Sequence, residues 1–175
     1  DLAIEITNSD CGLITLHSID QRQISVPVYK GVPIELIGLI QQRVGTDNVL
    51  LRELLEERPP LVVTDTANAR LMPEVREAVV RSGINSFVGV PLRVADRLIG
   101  TLGLGKRDRD GFADVPAVWL QTMGHLVAVA IEADQSRRST EQAESQVRAQ
   151  VRYQDVIASL GWEYLSTLDI KRLLL

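Results

Sequence analysis

Residues 100–107 read GTLGLGKR, and Gly100, Gly105 and Lys106 match the G-x-x-x-x-G-K core of a phosphate-binding loop. Such a loop follows a buried strand and opens a helix. Its backbone N–H groups and the helix dipole then hold phosphate, and a Ser or Thr after the Lys binds magnesium. Here Arg107 stands where the hydroxyl belongs, and Asp108-Arg109-Asp110-Gly111 is a turn rather than a helix start. The glycines also lie inside an alternating strand. The phosphate-loop reading fails at all three points, and glycine within a strand points instead to close approach of a ligand or of another backbone.

Other residues able to do chemistry are few. Cys11 is the single cysteine of the chain, set among apolar neighbours in CGLITL, so it cannot form an internal disulfide and has the surroundings of a small buried hydrophobe. With His17 and His125 it gives too few ligands for a structural zinc site. No nucleophile–base pair, metal cluster or pair of carboxylates stands out, so the sequence nominates no catalytic and no metal-binding residue. The net charge is −4 and the arginines are interleaved with acids, which argues against a nucleic-acid surface. No stretch reaches the roughly 18 apolar residues of a membrane helix and no signal peptide opens the chain, so a cytoplasmic location without membrane contact is expected.

The elements that carry these residues are read from periodicity. Residues 1–8 are the tail of a helix. GLITLHSI (12–19) and QISVPVY (23–29) form an antiparallel hairpin, with Pro27 marking an edge or irregular position. Two helices fall between Pro33 and Glu57, the first spaced by Ile34, Ile37 and Ile40 and the second marked by Leu50, Leu51, Leu54 and Leu55. Leu61–Thr64 is a short strand ending at Asp65. A helix runs from Pro73 to Arg81, with Pro near its start and Gly83 just past its end.

SFVGVPLRV (86–94) and LIGTLGL (98–104) make the clearest hairpin. Side chains alternate between faces of a strand. One face carries Val88, Val90, Leu92, Leu98, Leu102 and Leu104, and the other carries Phe87, Gly89, Pro91, Thr101, Gly103 and Gly105. The aliphatic face packs helices. The small face suits either a ligand cavity or a tightly packed helix or loop.

A long helix from Val115 turns Leu120, Met123, Val127, Ala130 and Ile131 inward. It continues as a polar connector over 135–158 with a thin apolar seam at Ala143, Val147 and Val151, which fits a paired coiled coil or a single solvated helix. The fold class is α+β, with a mainly antiparallel sheet. The chain opens in DLAIEIT, which resembles the interior of a helix, and ends in DIKRLLL, an apolar helix with nothing to pack against, so a piece of a larger protein is expected.

SFVGVPLRVADRLIGTLGLG, PLVVTDT before it and FADVPAVWLQTMGHLVAVAIEAD after it resemble the GAF domain family. The resemblance covers residue 2 to about residue 134. It implies a central six-stranded, mainly antiparallel sheet flanked by helices, with a pocket on one face roofed by helices and loops, and a long C-terminal helix. The expected organisation is a sensory domain over 1–134, a connector helix over 135–158 and the start of a following domain over 159–175. The implied function is non-enzymatic: a regulatory domain that binds a small molecule and passes the signal through its C-terminal helix to an output domain such as a histidine kinase. A homodimer paired through the terminal helices goes with it, and a ligand-free dimerisation scaffold is the alternative. Carried over residue by residue, the pocket falls on Asp65, Met72, Val75, Phe87, Gly89, Thr101 and Gly103. Asp65 can equally cap the turn that follows it. The family's ligands leave the cofactor open. The roof has no cysteine for a covalent bilin and His17 is the one histidine placed to reach the pocket, which count against bilin and haem. The cysteines of the methionine sulfoxide reductase branch are absent apart from Cys11.

Overall fold

The computed structural model describes residues 2–18, 23–42 and 59–167. Its sheet is built from β1 (Cys11–Ser18), β2 (Gln23–Lys30), β3 (Leu61–Val63), β4 (Ser86–Val94) and β5 (Arg97–Lys106). The strands lie in the order β2-β1-β5-β4-β3 and every neighbouring pair is antiparallel. The described residues thus supply five strands where six were expected. Pro27 lies in β2, at the end of the strand order, where the β1–β2 register shifts and skips Val26 and Pro27.

Among the described residues four α-helices accompany the sheet: α1 (Leu2–Thr7), α2 (Ile34–Gln42), α3 (Pro73–Arg81) and α4 (Ala117–Thr167). The second helix expected between Pro33 and Glu57, and the end of the chain from residue 168, lie outside the described residues. Two compact units divide the chain, Asp1–Ile131 and Glu132–Leu175. Helix α4 runs unbroken from Ala117 to Thr167.

Each face of the sheet has its own core. Val88, Val90, Leu92, Leu102 and Leu104 meet Phe112, Leu120 and Ala128, with Ile4 of α1 and Met123, Val127 and Ile131 of α4 packed against them. Val88, Val90, Leu92 and Leu120 are wholly buried, and each such side chain contributes roughly 1.5–3 kcal/mol. Helix α4 approaches the sheet at Gly124, where a Cβ would lie 2.6 Å from Val90 Cγ1 and 3.0 Å from the Pro91 carbonyl oxygen. Ala130, expected to face inward, is exposed; Ala128 takes that place, one helical turn beyond Gly124.

The strict alternation of the β4–β5 hairpin breaks at one point. The β4–β5 register pairs Leu92 with Gly100 and then Arg93 with Leu98, skipping Ile99. This bulge turns Leu98 off the aliphatic face and puts Ile99 into that core instead. Gly100 sits at the same place for a steric reason, since a Cβ there would run into the Thr15 carbonyl oxygen of β1.

On the other face, α2 and α3 cover the sheet. Leu36 and Ile37 of α2 and Ala78 and Val79 of α3 join Cys11, Val26, Val32, Leu71 and Ile84. Ile34, expected on the inward stripe of α2, is 71% exposed; the buried pair Leu36–Ile37 shows that the stripe starts two residues later. Helix α3 begins with Pro73 and ends at Ser82, whose N–H bonds back to the last turn, before Gly83 takes φ 76°. An ion pair of 3.0 Å joins Arg81 to Glu35 between α3 and α2, but both side chains are exposed and such pairs are worth at most about 1 kcal/mol. The two helices are held by apolar burial.

Candidate functional site

Between the sheet and the helices α2 and α3 lies a cavity of about 200 Å³. Its floor follows from strand register. Cross-strand pairing sets Cys11 beside Gly105 and Phe87 in one row, Leu13 beside Gly103 and Gly89 in the next, and Thr15 beside Thr101 and Pro91 in the third. The middle row holds two glycines and is low. The rows on either side rise with Phe87 and with the threonines. Leu36, Leu39 and Ile40 of α2 form one wall, Val75 and Val79 of α3 with Leu71 and Met72 another, and Ile24 and His17 close the end beside β2.

The two glycines of β5 act differently. At Gly105 a Cβ would come within 2.7 Å of Cys11 Sγ and 3.0 Å of Ile84 Cγ2, so this position is filled by neighbouring side chains. At Gly103 the nearest atoms to a Cβ are those of the Leu13 side chain at 3.5 Å, an ordinary contact. The small face thus combines tight packing at Gly105 with free volume at Gly103.

Among the described residues of the lining, hydroxyl and imidazole groups gather at one end. Thr15 Oγ1 accepts the Thr101 N–H at 3.2 Å, lies 2.6 Å from Thr101 Oγ1 and lies 3.0 Å from His17 Nε2. Both threonines are buried. Burial holds the His17 pKa below its ordinary value of 6.5, so the imidazole is neutral at pH 7. Burial, with the Asp10 carboxylate second, pushes the Cys11 thiol up. Cys11 is therefore a protonated thiol at neutral pH, without the thiolate character a nucleophile needs.

Of the seven residues nominated from sequence, Met72, Val75, Phe87, Gly89, Thr101 and Gly103 line this cavity together. Asp65 does not. Its carboxylate accepts from the Ala67 N–H at 3.1 Å and from Asn68 Nδ2 at 2.9 Å, capping the short 3₁₀ turn Thr66–Asn68, with Arg109 at 3.8 Å. A side chain that satisfies the turn's own donors points along the loop rather than into the cavity. Sequence reading missed Thr15, Leu36 and Ile40. The alternation Cys11-Leu13-Thr15-His17 along β1 carries the signal for Thr15, because it sets a hydroxyl and an imidazole on an otherwise apolar face. Of the seam residues, Ala143 is exposed; the side chains of Val147 and Val151 lie outside the described residues.

Among the described residues no three His, Cys, Asp or Glu side chains come together to hold a metal ion, and no helix is long and apolar enough to cross a membrane. The cavity is concave and apolar, and its described lining supplies few polar groups.

The family model for the GAF domain matches residues 1–132, and the chain belongs to that family. A domain assigned to a two-component sensor histidine kinase protein from Sinorhizobium meliloti 1021 has the same fold, with TM-score 0.62 and 22% identity over 78% of this chain and 90% of its own. The GAF domain/HD domain protein from Geobacter sulfurreducens aligns with TM-score 0.63 and 19% identity over 77% of this chain and 87% of its own. A type II free methionine-R-sulfoxide reductase from Thermoplasma acidophilum is more distant, with TM-score 0.52 and 13% identity over 73% and 82%. At these identities the likeness concerns the fold.

Proposed function

We propose that this GAF domain is a non-enzymatic sensory module that binds a small molecule in the cavity under α2 and α3 and passes its occupancy through α4 to an output domain. The observation that carries this reading is the cavity itself, about 200 Å³ of apolar space with one buried polar corner. The names of similar domains, in a sensor histidine kinase protein and in a protein with an HD domain, support an output partner of the signalling class. A ligand moves a two-state equilibrium only by its differential affinity for the two states, so the cavity must change shape between them. Its walls come from helices and its floor from a five-stranded sheet, so α2 and α3 are the parts that shift. The working unit is a cytoplasmic homodimer paired through its terminal helices.

A second reading, a ligand-free dimerisation scaffold, is favoured by the exposed apolar side chains of the same terminal helices, Leu2 and Ile6 on α1 and Trp119 and Leu126 on α4. Native mass spectrometry of the protein purified from its own host separates the two. The sensory reading expects an adduct that dissociates on activation, and spin labels at Gln135 and Gln150 whose spacing between protomers changes when the adduct is removed. A bare-chain mass together with label distances that do not respond would leave the scaffold reading standing.

A further inference from the structure

If the cavity is a small-molecule site, as the sensory function requires, the chemistry of its wall narrows the ligand. A cavity of 150 Å³ lined by aliphatic and aromatic side chains accommodates benzene, so the 200 Å³ here corresponds to about eight non-hydrogen atoms. No Asp, Glu, Lys or Arg is among the described residues of the lining. An ionised phosphate, carboxylate or ammonium group would enter without a charged partner, and leaving such a group unpaired in apolar surroundings is costly. His17 is neutral and offers no compensating charge.

The hydroxyls decide where polarity is welcome. Thr15 Oγ1 has one proton and two lone pairs. One lone pair takes the Thr101 N–H, which leaves one proton and one lone pair to serve His17 Nε2 and Thr101 Oγ1. Thr15 is therefore saturated in either proton arrangement. When Thr15 donates to His17, Thr101 donates to Thr15 and keeps two acceptor sites. When His17 donates to Thr15, Thr15 donates to Thr101, which keeps its own proton and one acceptor site. In both arrangements Thr101 Oγ1 holds unused hydrogen-bonding capacity, on a buried residue that lines the apolar space. A group that both donates and accepts fits either arrangement.

We propose that the cavity takes an uncharged, mainly apolar molecule of about eight non-hydrogen atoms whose one hydroxyl or amide group docks on Thr101 Oγ1. Its apolar body lies over Gly103, between Leu13, Phe87 and Val75. An uncharged phenol satisfies each term, and p-cresol is the probe of matching size. The side chain of Met72 at the wall adapts to differences in shape among such molecules.

The test uses the whole chain and three probes followed by amide chemical shifts of Gly103, Gly89 and Thr101: p-cresol, toluene and 4-methylbenzoate. The proposal expects p-cresol to bind at least about fivefold more tightly than toluene, in keeping with one net hydrogen bond, and 4-methylbenzoate not to bind. Thr101→Val, which removes the hydroxyl at constant shape, is expected to erase the preference, and Thr101→Ser to keep it. Equal affinities for toluene and p-cresol, or a preference that survives Thr101→Val in a folded protein, would overturn the anchor while leaving the cavity a binding site. Tighter binding of 4-methylbenzoate would overturn the exclusion of charge. Silence of all three amides to all three probes at millimolar concentration would overturn the small-molecule reading as a whole. If Thr101→Val does not fold, the p-cresol and toluene pair on the unaltered protein, with nuclear Overhauser contacts from the cresol ring to the Thr101 methyl, decides the matter.

Discussion

At the scale of single residues, His17 is where burial and ionisation oppose each other most directly. Its pKa is lowered in the folded protein by desolvation, while in the unfolded chain it returns to about 6.5. Between the folded pKa and 6.5 the unfolded state binds more protons than the folded one, so stability rises with pH there. The contribution is complete above about pH 6.5 and is lost as pH falls through the folded value. Melting temperatures of the native protein and of His17→Gln, measured from pH 7 down to pH 5, are expected to diverge, with the native protein falling more steeply. Parallel curves would show that burying neutral His17 has no share in the pH response. A glutamine keeps a donor and an acceptor beside Thr15, so the comparison isolates the proton. The role of Thr15 was only half visible in the sequence. Its place on the pocket face follows from alternation with Cys11 and His17. Its bond to Thr101 depends on the β1–β5 register, and that pairing joins residues 86 positions apart. Asp65 lies outside the cavity lining, and its carboxylate is engaged by local partners two and three residues ahead.

At the scale of elements, the β4–β5 hairpin was legible because its two faces differ so sharply, bulky on one side and small on the other. Legibility ended at the bulge opposite Leu92–Arg93, where an extra residue reverses the alternation and sends Leu98 to the wrong face of any strictly periodic reading. The walls of the cavity were less legible than its floor. Leu36, Leu39 and Ile40 reach it through the packing of α2 on β2 and α3, a three-dimensional relation that no spacing within α2 encodes. Gly124 shows how packing overrides helix propensity. Replacing it with alanine gains about 1 kcal/mol of intrinsic helix preference. The added methyl would fall 2.6 Å from Val90 Cγ1 and 3.0 Å from the backbone of Pro91, in a helix held against a strand that is buried at the contact. Overpacking of this kind costs about 1–3 kcal/mol and outweighs the propensity gain. Gly124→Ala is therefore expected to lower the urea midpoint with an unchanged slope, and an equal or higher midpoint would show that α4 slides off the sheet at little cost.

At the scale of the whole molecule, the exposed side of α4 carries the apolar seam of the connector further upstream. Trp119, Thr122, Leu126, Val129 and Ala133 follow one another at spacings of three and four, the heptad rhythm of a paired helix. Extending that count through Ser136 and Thr140 arrives at Ala143 and Val147, two of the three seam residues; Val151 falls one position out of step. The core-facing residues Leu120, Gly124, Ala128 and Ile131 occupy the other side of the helix. Trp119 is 61% exposed and Leu126 64%, large apolar side chains that a single copy leaves in water. The proposed homodimer would cover them in one register running from the sensory domain into the polar connector. Leu126→Glu places a charge in that seam and is expected to weaken dimerisation at least tenfold by sedimentation equilibrium. Gln121→Glu adds the same charge two positions after Trp119, away from the seam, and is expected to leave association unchanged. Because Leu126 lines neither core nor cavity, p-cresol binding should survive the substitution. If Leu126→Glu dimerises as tightly as the native chain, pairing along α4 is wrong whatever occupies the cavity, and loss of dimer with retained ligand binding would place the two functions on opposite faces of one sheet.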